Sequence, residues 1–438
     1  MIKNNILVVG SGAREHAIVR AINRSHYTKK VYCLGSNFNP GISKLIDELL
    51  ILDINNPDIV VNYAKEKHVS LCIIGPENPL SCGVADALSN EGIKVVGPKK
   101  KLAMLETSKA FTRDLLNEYK IPGGPIYSRF KNLNGVDAFL KKLGENYVVK
   151  CDGLAGGKGV KVSGDHLSSH DEALDYCRSL IEQNNEFVIE EKFIGEEFSL
   201  MSFCDGTTLK HMPAIQDHKR AYEGDMGPNT GGMGTYSDTN HSLPFLKKKD
   251  LEEAKKINRA TSMAIKNKCG EGFKGILYGG FMATKHGVKL IEYNARFGDP
   301  EAMNVLSLLE SDFIEICISI ADGTLKDIKV TFQKKATVCK YAVPKGYPDN
   351  PIKGQEIDVS NVHKPDNLFF ASVDYKNECL IEAGSRTVAV VGIANSISEA
   401  ETIAENEISR VKGPLFHRSD IGKKDVIQKR IDHMKSLK

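Results

Sequence analysis

Short apolar runs alternating with helical patterns open the chain. Residues 6 to 12, ILVVGSG, read as a buried parallel strand entering a glycine turn, with Ala13 to Asn23 as the helix that follows. Val31 to Leu34, Leu49 to Leu52, Leu71 to Ile74 and Lys94 to Val96 repeat the strand pattern, and helical patterns lie near Pro57 to Lys67 and Gly83 to Asn90. Such a βαβ series predicts a parallel sheet with helices on both faces. Pro98 closes this first unit.

Beyond it the periods change. Thr107 to about Tyr119 reads as a helix, Tyr147 to Lys150 as a strand running through a glycine loop into another, and Phe187 to Ser199 as strand, connector and strand. Leu251 to Lys268 is a long amphipathic helix, and Gly275 to Ala283 is a strand expected to pair with the stretch LIEYNARFGDPEAM at 290 to 303. There Leu290, Glu292 and Asn294 alternate with Ile291, Tyr293 and Ala295, so a strand presents the first set on one face and the second on the other. Ser307 to Ala321 is expected to form the helix behind that pair. After a break at 323 to 335, a β-rich module follows with Thr337 to Val343, Leu368 to Tyr375 and Arg386 to Ala394, ended by a helix at Ser398 to Val411. The expected fold class is multi-domain α/β and α+β. Residues 1–104 form the parallel domain, 105–330 a central domain with a small mobile subdomain at about 123–195, and 331–430 the C-terminal β-rich domain.

Composition narrows the class. A chain of 438 residues is too long for one core, and 41% hydrophobic with 26% charged residues describes an ordinary soluble globular protein. The net charge of +3 gives no general affinity for nucleic acid or a membrane surface. No apolar run approaches the roughly 20 residues needed to span a bilayer, and the first strand pattern begins too early for a signal peptide. The ten cysteines are scattered without a CxxC pair, which points to reduced thiols in a cytoplasmic protein.

The candidate chemistry gathers where predicted strands end. Gly10-x-Gly12 makes a poor dinucleotide fingerprint, because Glu15 holds the third glycine's place. Arg14 and His16, one turn into the helix, either meet a phosphate or lie on the helix surface. Gly75 to Pro79, GPENP, sits at the same binding edge. Lys109 alone would be a solvated charge, but it precedes Lys150 and the loop from Cys151 to Val160, in which Gly156, Gly157 and Lys158 fold over phosphates or form a plain hairpin. The connector around Glu190 to Glu197 either reads a nucleotide or is a solvated acidic turn. Glu292 and Asn294, two residues apart on a strand, suit Mg²⁺, a hard ion that shares its shell with phosphates; the alternative is a half-buried edge strand. Arg296, Gly298, Asp299, Pro300 and Glu301 follow as a loop.

In this order the groups resemble the ATP-grasp superfamily. Within it, PAIQDHKRAYEGDMGPNTGGMGTYS at 213 to 237, with GSGAREHA, GPENPL, KCDGLAGGKGV and EYNARFGDPE, is similar to the phosphoribosylamine-glycine ligase family over residues 1 to about 430. Ala13 and Ala295 are the mild departures, and the end at Lys438 resembles the stand-alone rather than the fused enzymes. The resemblance implies an ATP-grasp central domain that joins glycine to 5-phosphoribosylamine with ATP and Mg²⁺ (or Mn²⁺), through an acyl phosphate. It implies Lys109, Lys150, Gly156, Gly157 and Lys158 at phosphates, Glu190 with the Glu191 to Phe193 backbone at adenine, Glu197 at ribose, and Glu292 and Asn294 at the metal. Arg296, Lys219 and Asp217 would be catalytic. Gly10, Gly12, Arg14, Glu15, His16, Asp217, His218, Arg220, Asn229, Thr230, Gly231, Arg296, Gly298, Asp299 and Glu301 would line the substrate pocket, with His218 either a base or a hydrogen-bonded structural histidine. No nucleic-acid or membrane partner is implied, and the expected state is a monomer or weak homodimer. A sister ligase joining another acid and amine, or a non-catalytic nucleotide-binding regulator, are the rival readings.

Overall fold

The computed structural model describes residues 4–156 and 159–437. The first sheet is five-stranded and parallel, with spatial order Glu48–Ile51, Lys29–Gly35, Asn4–Val9, Leu71–Ile74, Lys94–Val96. Its central strands are continuous apolar runs because helices cover both faces. The helix Ala13–Asn23 starts where the sequence pattern places it.

Two antiparallel sheets face one another across the middle of the molecule. One runs Leu209–His211, Gly195–Asp205, Lys274–Thr284, Gly287–Asn294. The other, Tyr127–Phe130, Phe187–Glu191, Tyr147–Cys151, Val160–Val162, lies in residues 123–195. This smaller sheet has an apolar core of its own, with Phe130, Leu140, Tyr147, Val149, Cys177 and Phe187, separate from the large main core and from a third, small cluster around Val373, Val388 and Val390 in the C-terminal module.

The last sheet crosses the division expected at 330. Gln216–Asp217 and Gly234–Ser237 pair in turn with Ala336–Pro344, which pairs with Val388–Ala394, which pairs with Leu368–Phe370. Strands from the signature segment and from the C-terminal module thus share one ladder.

Four sequence expectations need correction. A break divides the segment expected as one helix at Ser307 to Ala321 into Glu301–Leu308 and Phe313–Asp322, because Asp312 accepts from the N–H groups of Ile314 (2.9 Å) and Glu315 (3.2 Å) and starts a new helix. Thr107 does not join the helix of Lys109: Ser108 stands between them and accepts from Phe111 N at 3.0 Å, starting Lys109–Glu118 afresh. The run Leu368 to Tyr375 is two strands in different sheets, Leu368–Phe370 and Val373–Lys376. The alternation through Leu290, Glu292 and Asn294 is broken by a bulge, since Gly280 pairs with Glu292 while Phe281 pairs with Leu290, leaving Ile291 as the extra residue. Leu290 and Tyr293 therefore both turn into the core, and Glu292 and Asn294 turn away from it.

All ten cysteines are free and seven are buried. Among the described residues no helix is long and apolar enough to cross a membrane.

Candidate active site

The cleft between the two central sheets collects the predicted residues. On its smaller-sheet side, the side chains of Lys150 on Tyr147–Cys151 and Glu190 on Phe187–Glu191, diagonal neighbours in the ladder, pair at 2.8 Å, both buried. Arg113, on the helix Lys109–Glu118, grips the same carboxylate with two parallel bonds, Nε to Oε1 at 2.7 Å and Nη2 to Oε2 at 2.9 Å. Burial opposes ionisation of Glu190, but Arg113 and Lys150 overcome it and hold its pKa at about 2. Lys150 is itself pushed down by burial, against the pull of Glu190.

Lys109 reaches the glycine loop, its Nζ donating to Gly153 O at 2.5 Å, and Asp152 accepts from Ser108 Oγ (3.0 Å) and Ala110 N (3.2 Å). Gly156 is exposed in the turn that follows; Gly157 and Lys158 lie outside the described residues. In the connector, Glu191 N donates to Ile126 O at 2.9 Å, and the Lys289 ammonium sits 5.8 Å from the Phe193 ring centre.

Glu197, Asp217, Lys219, Tyr278, Ile291 and Glu292 line a cavity of about 20 Å³, room for about one water. Lys219 Nζ pairs with Glu197 Oε2 at 2.9 Å and draws the Glu197 carboxyl below its usual range. Asp217 behaves in the opposite way. Its Oδ1 is buried without a hydrogen-bond partner, and burial, reinforced by Glu301, pushes its pKa well above the ordinary value. Gly232, at φ +108°, packs against it: a Cβ there would lie 2.7 Å from Asp217 Oδ1 and from Pro300 Cδ, so the approach requires glycine.

The metal reading is tested by what the donors already hold. Neither Glu292 nor Asn294 has an ion pair or hydrogen bond from its side chain among the described residues; both are half-buried, and Glu292 lies near enough to Lys150 and Lys219 to interact electrostatically with both. No group of three or more His, Cys, Asp or Glu side chains placed to hold a metal ion is present among the described residues. One carboxylate and one amide with free oxygens fit Mg²⁺, which takes few protein ligands and completes its shell from phosphates and water.

The loop after this strand is tied on both sides. Arg296 lies between two acids, Nε 3.2 Å from Glu77 Oε2 and Nη2 3.0 Å from Glu106 Oε1. Burial alone would lower Glu106's acidity, and it stands above the carboxylate range, while Arg296 and Arg14 hold Glu77 below it despite burial. Arg14 pairs with Glu15 at 2.6 Å and donates to Phe297 O at 3.3 Å. Glu15 caps its own helix, accepting from Gly12 N at 2.7 Å, and fills the space over Gly10 and Gly75, where a Cβ on Gly75 would fall 1.9 Å from Oε1. That packing is why an acid replaces the third glycine.

Gly298 adjoins Glu301, whose Oε1 accepts from Tyr278 Oη at 2.6 Å. Asp299 accepts from Tyr341 Oη at 2.6 Å and pairs with Arg386 at 3.2 Å. Arg386, from the C-terminal sheet, also donates to Gly231 O (2.6 Å), Gly232 O (3.1 Å) and Asp299 O (2.9 Å). Thr230 closes the neighbouring turn onto Lys219 O, and Asn229 is exposed opposite Arg220 in a short hairpin. Arg220 spans Gly227 O (2.9 Å) and Asp165 of the smaller domain (3.3 Å).

Two predicted residues do not reach this cleft. His16 packs between Phe369 and Phe370, with Nδ1 accepting from Phe370 N at 3.0 Å, so it joins the first and last domains. His218 is fully buried with neither ring nitrogen hydrogen-bonded, and burial pulls its pKa to about 3. It is therefore neutral and lacks the bonds expected of a structural histidine. Glu106, Arg113 and Arg386 were not singled out from sequence; each binds a partner at least 77 positions away, which no local pattern reveals.

A lysine-bearing small sheet closing on a second antiparallel sheet, with an acid and an amide free at the end of the facing strand, is the architecture of the ATP-grasp class. The same fold occurs in the biotin carboxylase of Campylobacter jejuni, with a TM-score of 0.69 at 14% identity over 99% of this chain and 95% of that one. More narrowly, the chain belongs to the phosphoribosylglycinamide synthetase family, whose N domain matches residues 4–106, ATP-grasp (A) domain 107–302 and C domain 337–424. It is 49% identical over 433 residues to a phosphoribosylamine--glycine ligase of Methanosarcina barkeri, covering 99% of each chain. The Methanocaldococcus jannaschii ligase is 48% identical, again over 99% of each. A phosphoribosylamine--glycine ligase structure from Thermotoga maritima superposes with a TM-score of 0.81 at 27% identity, covering 95% of this chain and all of that one.

Proposed function

We propose that the protein is the ligase of its family, joining glycine to 5-phosphoribosylamine with ATP to give glycinamide ribonucleotide, ADP and phosphate, a step of purine biosynthesis. The observation that carries the site assignment is that Asp217 and Glu292, both lining the cavity, have no hydrogen bond or ion pair for their carboxylates among the described residues, while Glu197 and Tyr278 beside them are paired with Lys219 and Glu301. Two unpartnered carboxyl groups suit two cationic guests: the glycine ammonium at Asp217, whose arrival favours ionisation there, and a Mg²⁺ ion at Glu292 and Asn294. The ion, when bound, neutralises phosphate charge.

The chain's own groups then do the following. Lys109 and Lys150, with Lys158 in the glycine loop, act as point charges toward phosphate oxygens. Glu197 meets ribose, and Glu190 with the Glu191 to Phe193 connector borders adenine. A glycine carboxylate oxygen attacks the γ-phosphorus, the bond to the β-phosphate oxygen breaks and ADP leaves. The amine of phosphoribosylamine then attacks the acyl carbon, loses its proton, and phosphate departs. Arg296, locked between Glu77 and Glu106, is a fixed cation for the negative charge that develops on these oxygens, and Lys219 assists it. Gly10, Gly12, Arg14, Arg220, Asn229, Thr230 and Gly231 surround phosphoribosylamine, while Gly298 and Glu301 complete the glycine side. Asp299 holds the loop through Tyr341 and Arg386.

The unit at 123–195, with an apolar core of its own, acts as a lid whose closure keeps water from the acyl phosphate. Ten free thiols suit a reducing compartment, the cytoplasm. The deciding experiment measures ADP release from Mg·ATP with glycine alone, with phosphoribosylamine generated in place alone, and with both. Release only with both, with glycinamide ribonucleotide found by mass, is expected. Release with another acid and amine transfers the reading to a sister ligase, and none under any condition supports a regulator.

A further inference from the structure

The guanidinium of Arg113 makes four contacts inside the cleft and faces neither open carboxylate. Two of its bonds go to Glu190 on the lid sheet. The others go to the opposite sheet, from Nη2 to Ile291 O at 2.5 Å and from Nη1 to Leu290 O at 3.4 Å. Ile291 is the extra residue of the bulge, so its carbonyl has no regular place in the ladder and needs a donor from elsewhere. Arg113 supplies one, and Lys150 Nζ supplies a second at 3.2 Å. All three charged side chains are nearly excluded from water.

From this geometry, and resting on the site reading above, we infer that Arg113 is a positioning residue for the metal and nucleotide, acting through the bulge and through Lys150. Its first effect is on Glu292 and Asn294. The bulge lets Leu290 and Tyr293 both enter the core while Glu292 and Asn294 face the cavity, and Arg113 pins it one residue before Glu292. A fixed bulge gives the two ligands one relative orientation, which an octahedral ion requires.

The second effect is a matter of charge. Arg113 and Lys150 bring two positive charges to one carboxylate, Glu190. With Arg113 present the carboxylate is neutralised by a bidentate pair that a guanidinium alone provides, and the Lys150 charge remains in surplus for phosphate oxygens. Lys150 touches Glu190 with Arg113 in place; without Arg113 it would be the sole counter-charge of that carboxylate, with none left over for phosphate, because an unpaired anion in that place is costly. Arg113 thus assigns Lys150 to the nucleotide while touching no substrate itself.

The test uses the full chain and the variants Arg113→Met and Arg113→Lys. Mg·ADP binding is measured by calorimetry, together with the Mg²⁺ concentration for half-maximal ADP release, the KM for glycine and the melting temperature. Supporting partners of metal ligands typically change affinity about 10–100-fold, and that loss in Mg·ADP affinity, with a parallel rise in the Mg²⁺ requirement and an unchanged glycine KM, is expected for Arg113→Met. Arg113→Lys keeps the buried charge and hence the fold, but one ammonium cannot serve both carboxylate oxygens and both carbonyls; it is expected to raise the Mg²⁺ requirement in the same direction. If Arg113→Met does not fold, Arg113→Lys decides. A lowered melting temperature with unchanged Mg·ADP affinity and Mg²⁺ requirement in the folded variants would mean a structural role only and would overturn the inference. Wild-type protein that binds Mg·ADP but ignores glycine and phosphoribosylamine would overturn the ligase reading and leave this one standing.

Discussion

Arg296 Nη2 lies 3.0 Å from Glu106 Oε1, and the N–H of the preceding residue, Ala295, donates to the other oxygen of the same carboxylate at 2.8 Å. One buried acid therefore fixes both the backbone and the side chain of the loop that carries the proposed catalytic cation. Replacing Arg296 by Ala removes that cation and strands Glu106. The expected results are a fall in kcat of about 10²-fold or more and a loss of stability of about 3–5 kcal/mol, read by steady-state kinetics and urea unfolding. A normal kcat in folded protein would exclude Arg296 from the chemistry.

Glu292 should behave differently, because its carboxylate has no protein partner to strand. For Glu292→Ala the unfolding free energy should stay within about 0.5 kcal/mol of wild type. The Mg²⁺ titration of ADP release is where the loss should appear. Turnover with a normal Mg²⁺ dependence would show the metal assignment to be wrong.

Asp217 gives a pH signature. Burial, then the neighbouring Glu301, raises its folded-state pKa above the 3.8 of a free carboxyl, so the native state favours the protonated form. Its contribution to stability is complete below that value and is lost as pH rises from it toward the folded-state pKa. Asp217→Asn should therefore melt at or above wild type at neutral pH, with the gap closing near pH 4, while the KM for glycine rises. A melting temperature below wild type at neutral pH would contradict the buried, unpaired carboxyl.

Arg386 ties a loop from the C-terminal sheet to Gly231, Gly232 and Asp299. Arg386→Ala should raise the KM for glycine or phosphoribosylamine with little change in the KM for ATP, and lower the melting temperature. Arg386→Lys should not restore it, since one ammonium cannot reach three carbonyls and a carboxylate. An ATP KM that moves as much as the others would place its effect on the whole cleft.

Much of the parallel domain was legible because its strands are buried on both faces and read as unbroken apolar runs; Leu71–Ile74 and Lys94–Val96 fall where the pattern places them. The bulge at Ile291 was not, because a period-two pattern assumes the regular ladder that the bulge interrupts. The helix Lys424–Ser436 escaped notice for another reason. Its apolar stripe of Ile427, Ile431 and Met434 is short and only partly buried against the core, and much of its docking is through charge, Arg430 and His433 meeting Glu196. In the cleft, motif residues such as Lys150 and Glu292 were visible as types. What Glu106, Arg113 and Arg386 do for them depends on pairings between distant segments, and His16, set in a motif, turned out to pack against Phe369 and Phe370.

The ladder joining Gln216–Asp217 and Gly234–Ser237 to Ala336–Pro344 has a consequence for how the protein comes into being. A ribosome delivers the signature segment about a hundred residues before the strand that pairs with it, and Arg386 later still. Until then Gly234–Ser237 presents an open edge, and Gly231, Gly232 and Asp299 lack the guanidinium that ties them together. The nascent chain can complete its first parallel sheet early, but a product stopped at residue 330 would carry the motifs without Tyr341 and Arg386, the groups that hold Asp299 and the Gly231–Gly232 turn in register.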